Sequence, residues 1–106
     1  MECESFPTTG YGEFSQRLHQ KAASQHIPIN GSIEITQRCN LRCTHCYIPI
    51  PTRQGPRQAE LSLAEIQHLL DEIKAAGCLW LLLTGGEPLL RPDFLEIYQY
   101  AKRKGF

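Results

Sequence analysis

The sequence predicts an α/β protein built on parallel strands, and three observations carry that prediction. Strand-like and helix-like segments alternate from residue 32 onward, the best-marked helix opens on a capping box, and a continuous apolar run follows that helix. Alternation of this kind places successive strands side by side and parallel, joined by helical right-handed crossovers. The chain therefore reads as two βα units preceded by a short helical extension. Two parallel strands would leave apolar surface uncovered, so the expectation is a piece of a longer, barrel-like protein. The division expected is an extension over residues 1–30 and a partial core over 31–106.

The elements follow in order. Residues 1–12 contain Pro7, Gly10 and Gly12 without periodicity and read as a lead-in. Phe14, Leu18 and Ala22 recur at helical spacing, predicting a helix over about Phe14 to Gln25. His19, His26 and His68 fall on helical or turn positions with surface or packing roles. Ile27 to Gly31 reads as a turn. Ser32-Ile33-Glu34-Ile35-Thr36 alternates apolar and polar, which predicts a short strand. Residues 48–58 hold three prolines and a glycine and must form a loop, with Arg53 and Arg57 on a solvated face. Ser62 and Glu65 make the capping box, each side chain satisfying an otherwise orphaned N–H. Leu63, Ile66, Leu69, Leu70 and Ile73 form the stripe behind it, and Gly77 marks the end. Leu79 to Leu83 is expected as a strand buried on both faces, with Trp80 in the core. Pro92 suits the first turn of a last helix whose face carries Phe94, Ile97, Tyr98 and Ala101, and Gly105 stops it.

Composition excludes several classes. Eleven basic residues balance eleven acidic ones, so nothing calls for nucleic acid or an anionic membrane as partner. The longest apolar run, Cys78 to Leu83, is far too short to span a bilayer. No basic segment followed by an apolar one opens the chain, so a cytoplasmic location is the expectation. Five cysteines are an odd number, and three of them fall within eight residues. A secreted disulfide scaffold shows an even count and higher density. Clustered thiols in a reducing compartment more often bind metal. Cys78 adjoins an apolar strand and reads as a small core residue, and Cys3 lies in the lead-in.

Cys39-x-x-x-Cys43-x-x-Cys46 sets three thiols on one loop directly after the first strand. In parallel α/β proteins ligands gather at the carboxyl ends of the strands. The spacing by itself leaves three readings open: a cubane iron–sulfur cluster with one iron free for an outside ligand, a zinc site completed by His45 or a distant histidine, and three unrelated thiols.

CNLRCTHCY at 39–47, followed after helix and strand by TGGEPLLRPDF at 84–94, closely resembles the radical S-adenosylmethionine (radical SAM) superfamily. The resemblance covers about residues 31–106, and its nearest members are the SPASM-type peptide and cofactor maturases, many with auxiliary clusters in a C-terminal domain. It implies the first two βα units of a partial (β/α) barrel. It also implies that Cys39, Cys43 and Cys46 hold a [4Fe-4S] cluster whose fourth iron is chelated by the methionyl end of S-adenosylmethionine. Reductive cleavage then yields a 5′-deoxyadenosyl radical that abstracts hydrogen from the substrate. His45 matches a position close to the adenine, and Gly85, Gly86, Glu87 and Pro88 match the stretch beside the methionyl amino group. Further implications are an electron donor such as flavodoxin or ferredoxin and a substrate of the peptide kind. The 106-residue piece by itself is expected to bind a cluster poorly and turn over little.

Overall fold

The computed structural model describes residues 7–48 and 60–106. The expected proline-rich loop beyond Ile48 lies outside the described residues, as do Cys3, Arg53 and Arg57. The elements run α1 (Tyr11–Ser24), β1 (Asn30–Glu34), α2 (Leu63–Ala75), β2 (Trp80–Thr84), a 3-10 turn at Pro88–Leu90, and α3 (Phe94–Lys104). β1 and β2 pair in parallel, Asn30 opposite Trp80 and Glu34 opposite Thr84. The α/β class and the parallel pairing agree with the sequence.

Several boundaries do not. β1 starts two residues earlier than expected, inside the segment read as a turn. The main-chain carbonyl of Ile29 accepts from both Leu79 N (2.9 Å) and Trp80 N (3.1 Å), which draws the upstream residues into the ladder. The inward face thus begins at Ile29, which is buried along with Ile35. β2 is also displaced by one residue, and it is covered on one face only. Leu81 and Leu83 pack on the core formed by Ile35, Ile66, Leu70, Ile97 and Ala101, whereas Leu82 is 61% exposed and Trp80 44% exposed. The expectations of a doubly buried strand and a core tryptophan are corrected: α2 and α3 cover one side of the sheet. Trp80 instead stacks on His19, with ring centroids 6.1 Å apart. His19 Nδ1 donates to the Ser15 carbonyl at 2.8 Å, leaving Nε2 to accept from Asn30 Nδ2 at 3.2 Å. One histidine thereby ties α1 to the start of β1 and to Trp80.

Pro92 lies outside α3, whose N-cap is Asp93. The proline in a first helical position is Pro88, which opens the 3-10 turn. The stop signals fare better. α2 has the capping box in full: Ser62 N donates to Glu65 Oε2 at 2.7 Å, and Glu65 N donates to Ser62 Oγ at 3.2 Å. All three helices end on the same pair of main-chain bonds around a left-handed residue. In α1 that residue is His26 (φ 54°), with Ile27 N donating to Ala22 O at 2.9 Å; in α2 it is Gly77 (φ 104°); in α3 it is Gly105 (φ 91°).

The position at Gly77 has a second demand, because a Cβ there would come within 2.6 Å of Ile27 Cγ2. Gly77→Ala combines an unfavourable φ with that overlap and is expected to cost about 2 kcal/mol. His26→Gly removes the penalty of a side chain in the left-handed region and is expected to stabilise by about 1 kcal/mol. Urea unfolding of the two variants checks the opposite signs.

α2 and α3 are joined at their solvent edge by Asp71, which accepts from Tyr100 Oη at 2.8 Å and pairs with Lys104 Nζ at 2.9 Å. Lys104 and then Tyr100 hold the Asp71 carboxyl below its ordinary value of 3.8, while Asp71 raises Lys104 above 10.5. Hydrogen bonds from Ser62 lower Glu65 in the same way. A depressed carboxylate contributes stability that is present above its unfolded value and lost as pH falls through the folded one. The thermal midpoint is therefore expected to hold from neutral pH down to about 5 and to fall below about 4. Asp71→Asn flattens that acid limb. A midpoint series followed by circular dichroism reads it.

Candidate functional site

Two loops leave the carboxyl ends of the paired strands side by side. The first carries the cysteines and the second carries Gly85 to Pro88. Past the last paired residues, Ile35 N donates to Thr84 O at 2.9 Å, Gly86 N to Thr36 O at 2.9 Å, and Glu87 N to Arg38 O at 2.8 Å. The ladder thus continues beyond β1 and β2 as a seam between the loops and reaches the residue before Cys39.

That seam explains the paired glycines. A Cβ on Gly85 would overlap the Thr36 carbonyl oxygen, and one on Gly86 would overlap the Arg38 carbonyl while lying 2.9 Å from Gln37 O. Glycine permits close main-chain approach, and here the approach is to the neighbouring loop. Glu87 Oε1 accepts from Leu89 N at 3.0 Å, capping the 3-10 turn that Pro88 opens. Glu87 and Pro88 are half-buried at the same end of the sheet.

On the cysteine loop, Cys39 is half-buried and Cys43 and Cys46 are exposed, all three as free thiols. Leu41 N donates to Cys39 Sγ at 3.4 Å, and Cys46 N donates to Cys43 O at 3.3 Å, closing a turn between the second and third cysteines. His45 is exposed on that turn. Tyr47 Oη donates to Glu34 Oε1 at 3.3 Å, tying the far end of the loop back to β1. Among the described residues no three His, Cys, Asp or Glu side chains gather around a point that would hold one metal ion. A zinc site needs all its ligands on one centre at about 2.0–2.3 Å. A cubane places each cysteine on a different iron, and three free thiols on one short loop fit that donor chemistry. Cys78 is buried with its thiol pushed up, chiefly by burial, and Sγ donates to Trp80 O at 3.3 Å; it is a core residue.

Sequence reasoning missed a charged network beneath the cysteine loop. Glu60 accepts from Thr36 Oγ1 and pairs with Arg38, at 2.8 Å from Nε and 3.2 Å from the terminal nitrogen. Buried Arg91 donates to Ile35 O and Leu61 O, both at 2.9 Å, and forms a two-pronged pair with Asp93 at 2.8 and 2.9 Å. The Arg38 hydrogen bond is the main influence holding the Glu60 carboxyl below its ordinary 4.5. Both guanidiniums are raised in return, Arg38 chiefly by Glu60 and Arg91 chiefly by Asp93. No spacing rule links residues 22 or 31 apart, so nothing in the sequence pairs Glu60 with Arg38 or Arg91.

Comparison with known proteins bears on this site. The family model described as the radical SAM superfamily matches residues 33–106. The AdoMet-dependent heme synthase of Methanosarcina barkeri is 43% identical over 68% of this chain and 20% of its own length. The PqqA peptide cyclase of Rhodopseudomonas palustris is 37% identical over 74% of the chain and 20% of that protein. The mycofactocin maturase MftC of Mycobacterium ulcerans is 39% identical over 70% and 19%. The chain thus spans about a fifth of the length of these relatives. No solved structure matches it. With the family match extending from β1 through α3 and so taking in both loops, the chain belongs to the radical SAM superfamily, whose members use a [4Fe-4S] cluster and S-adenosylmethionine.

Proposed function

We propose that this chain supplies the cluster loop and the S-adenosylmethionine-facing loop of a radical enzyme. The chain from β1 onward forms the first two βα units of a partial barrel, and the residues before it an extension to it. The observation that carries the reading is the seam Gly86 N to Thr36 O and Glu87 N to Arg38 O. It holds the three-cysteine loop and the Gly-Gly-Glu-Pro loop together at the carboxyl end of a parallel sheet.

In this reading Cys39, Cys43 and Cys46 hold a [4Fe-4S] cluster by three irons. The group, once bound and reduced by one electron, supplies reductive cleavage of the sulfonium to methionine and a 5′-deoxyadenosyl radical for hydrogen abstraction. Gly85 and Gly86 keep the second loop tight against the first. The main-chain oxygens of Gly85 and Gly86 and the Glu87 carboxylate would serve the methionyl ammonium, for which oxygen acceptors are suited, with Pro88 opening the turn that places Glu87. His45, on the turn between the second and third cysteines, offers a flat imidazole to the adenine. The exposed apolar side chain of Leu82 would face the barrel interior, where water is excluded from a reactive intermediate. The electron comes from a donor of the flavodoxin or ferredoxin class. Relatives named as a heme synthase, a peptide cyclase and a maturase favour a peptide or cofactor precursor as substrate, in the reducing interior of the cell. No helix among the described residues is long and apolar enough to cross a membrane.

Anaerobic reconstitution tests the reading. Iron and sulfide bound in a ratio of about four to four, at low occupancy in this 106-residue chain, with a small yield of 5′-deoxyadenosine on adding dithionite and S-adenosylmethionine, are expected. One zinc per chain with no iron retained overturns it.

A further inference from the structure

The backbone entering the cysteine loop is held by a carboxylate from the segment ahead of α2. Glu60 stands two residues before the Ser62 cap of α2, with its side chain 13% exposed. It accepts from the Thr36 hydroxyl and grips Arg38 through two guanidinium nitrogens. Thr36 Oγ1 in turn accepts from Arg38 N at 3.1 Å. The Glu60–Thr36 pair therefore holds Arg38 at both main chain and side chain. Arg38 is the residue immediately before Cys39, and its carbonyl accepts from Glu87 N.

The anchor for Glu60 lies deeper. Arg91 bonds the carbonyls of Ile35 and Leu61, one at the end of β1 and one beside Glu60, and its nearest nitrogen lies 4.0 Å from Glu60 Oε2. A guanidinium that bridges two main-chain segments fixes their separation as well as their charge balance. Burying ions is a poor way to add stability, because desolvation consumes most of the attraction. What such a network does well is select one geometry among several of similar energy. Here the geometry selected is that of the backbone entering the cysteine loop.

We infer that Glu60 is a positioning residue that, through Thr36 and Arg38, sets the backbone ahead of Cys39 and seats the Gly86–Glu87 seam against it before any cofactor arrives. Its consequence for cluster loading rests on the reading that Cys39, Cys43 and Cys46 hold the cluster; its consequence for the seam does not. Glu60→Gln keeps the shape of the side chain and removes the charge that pairs with Arg38. Arg38→Ala removes the other partner from a partly exposed position and leaves Arg91 untouched.

The test is amide hydrogen exchange on the full chain without metal, paired with anaerobic iron and sulfide loading. In both variants the amides of Gly86 and Glu87 are expected to exchange about tenfold faster, the scale of one lost charged hydrogen bond. Leu70 and Ile97, in the core, are expected to keep their wild-type rates. Iron retained at limiting iron is expected to fall severalfold in step. Equal acceleration at Gly86, Glu87, Leu70 and Ile97 overturns the inference, since Glu60 would then contribute only to global stability. Unchanged exchange at the seam overturns it as well. Should wild type show Glu60-dependent protection of the seam yet retain no iron, the inference stands and the cluster reading falls.

Discussion

Replacing Cys43 by Ala is expected to empty the site without loosening the fold. Cys43 is exposed on a loop, and exposed substitutions away from special backbone positions change stability by no more than about 0.5 kcal/mol. Iron retained after reconstitution and desalting should nevertheless fall to a small fraction of the unsubstituted chain's level, because two thiolates remain where three would hold the cubane. Formation of 5′-deoxyadenosine should fall more than about a hundredfold, beyond what loss of an outer-shell partner produces at a metal site. Cys78→Ala is the counterpart. Its thiol is buried against the carbonyl of Trp80, so it should lose about 1 kcal/mol of stability and keep its iron. Iron assay and urea unfolding on the same preparations separate the two effects. A Cys43→Ala protein that holds as much iron as the unsubstituted chain, or a Cys78→Ala protein that holds none, would place the ligands elsewhere.

The opposite behaviour expected of two cysteines reflects what could and could not be read along the chain. Features governed by neighbours in sequence were legible. The capping box at Ser62 and Glu65 and the left-handed stops at Gly77 and Gly105 are satisfied within a few residues. So is the inward stripe that buries Ile66 and Leu70. The cysteine triad is legible for the same reason, since its spacing is its signal. Features decided by what lies across the sheet were not. The β1 boundary moved to Asn30 because Ile29 O takes two donors from the start of β2, a pairing no local pattern reveals. Trp80 and Leu82 are as apolar as Leu81 and Leu83, yet only the latter face α2 and α3. An apolar run states that both faces avoid water in the end; it does not state which covering layer this chain provides.

The charged network was the least legible feature, and it changes the account of the site. Arg38 reads in sequence as one more basic residue beside a cysteine, and Glu60 as a polar residue ahead of a helix. Only the fold brings them together beneath the loop, with Arg91 fixed below by Ile35 O, Leu61 O and Asp93. The cysteine loop is exposed, but its first residues are not free. They are held from below by Glu60 and from the side by Glu87 N. A loop that must accept a large inorganic group gains from having its entry fixed and its thiols accessible, since less order then remains to be imposed on binding.

Gly86→Ala is expected to be strongly destabilising. The new Cβ would lie 2.6 Å from the Arg38 carbonyl carbon and 2.9 Å from Gln37 O, both main-chain atoms. No side chain can swing aside to make room, so one of the two loops must move. Movement breaks Gly86 N to Thr36 O and Glu87 N to Arg38 O, at about 1 kcal/mol each, in addition to the strain of an overpacked contact. The expected loss is about 3 kcal/mol, a large share of the stability of a small domain. Gly31→Ala is the matched control. Its Cβ would meet Cys78 Sγ and Leu81 Cδ1 at 3.6 Å, ordinary contact, within β1. That variant should unfold at or above the wild-type midpoint. Where Gly86→Ala stays folded, exchange at the Glu87 amide should approach that of an open loop, and iron loading should drop although every cysteine is present. A Gly86→Ala protein with wild-type stability and wild-type loading would show that the seam is dispensable, and with it the observation on which the functional reading rests.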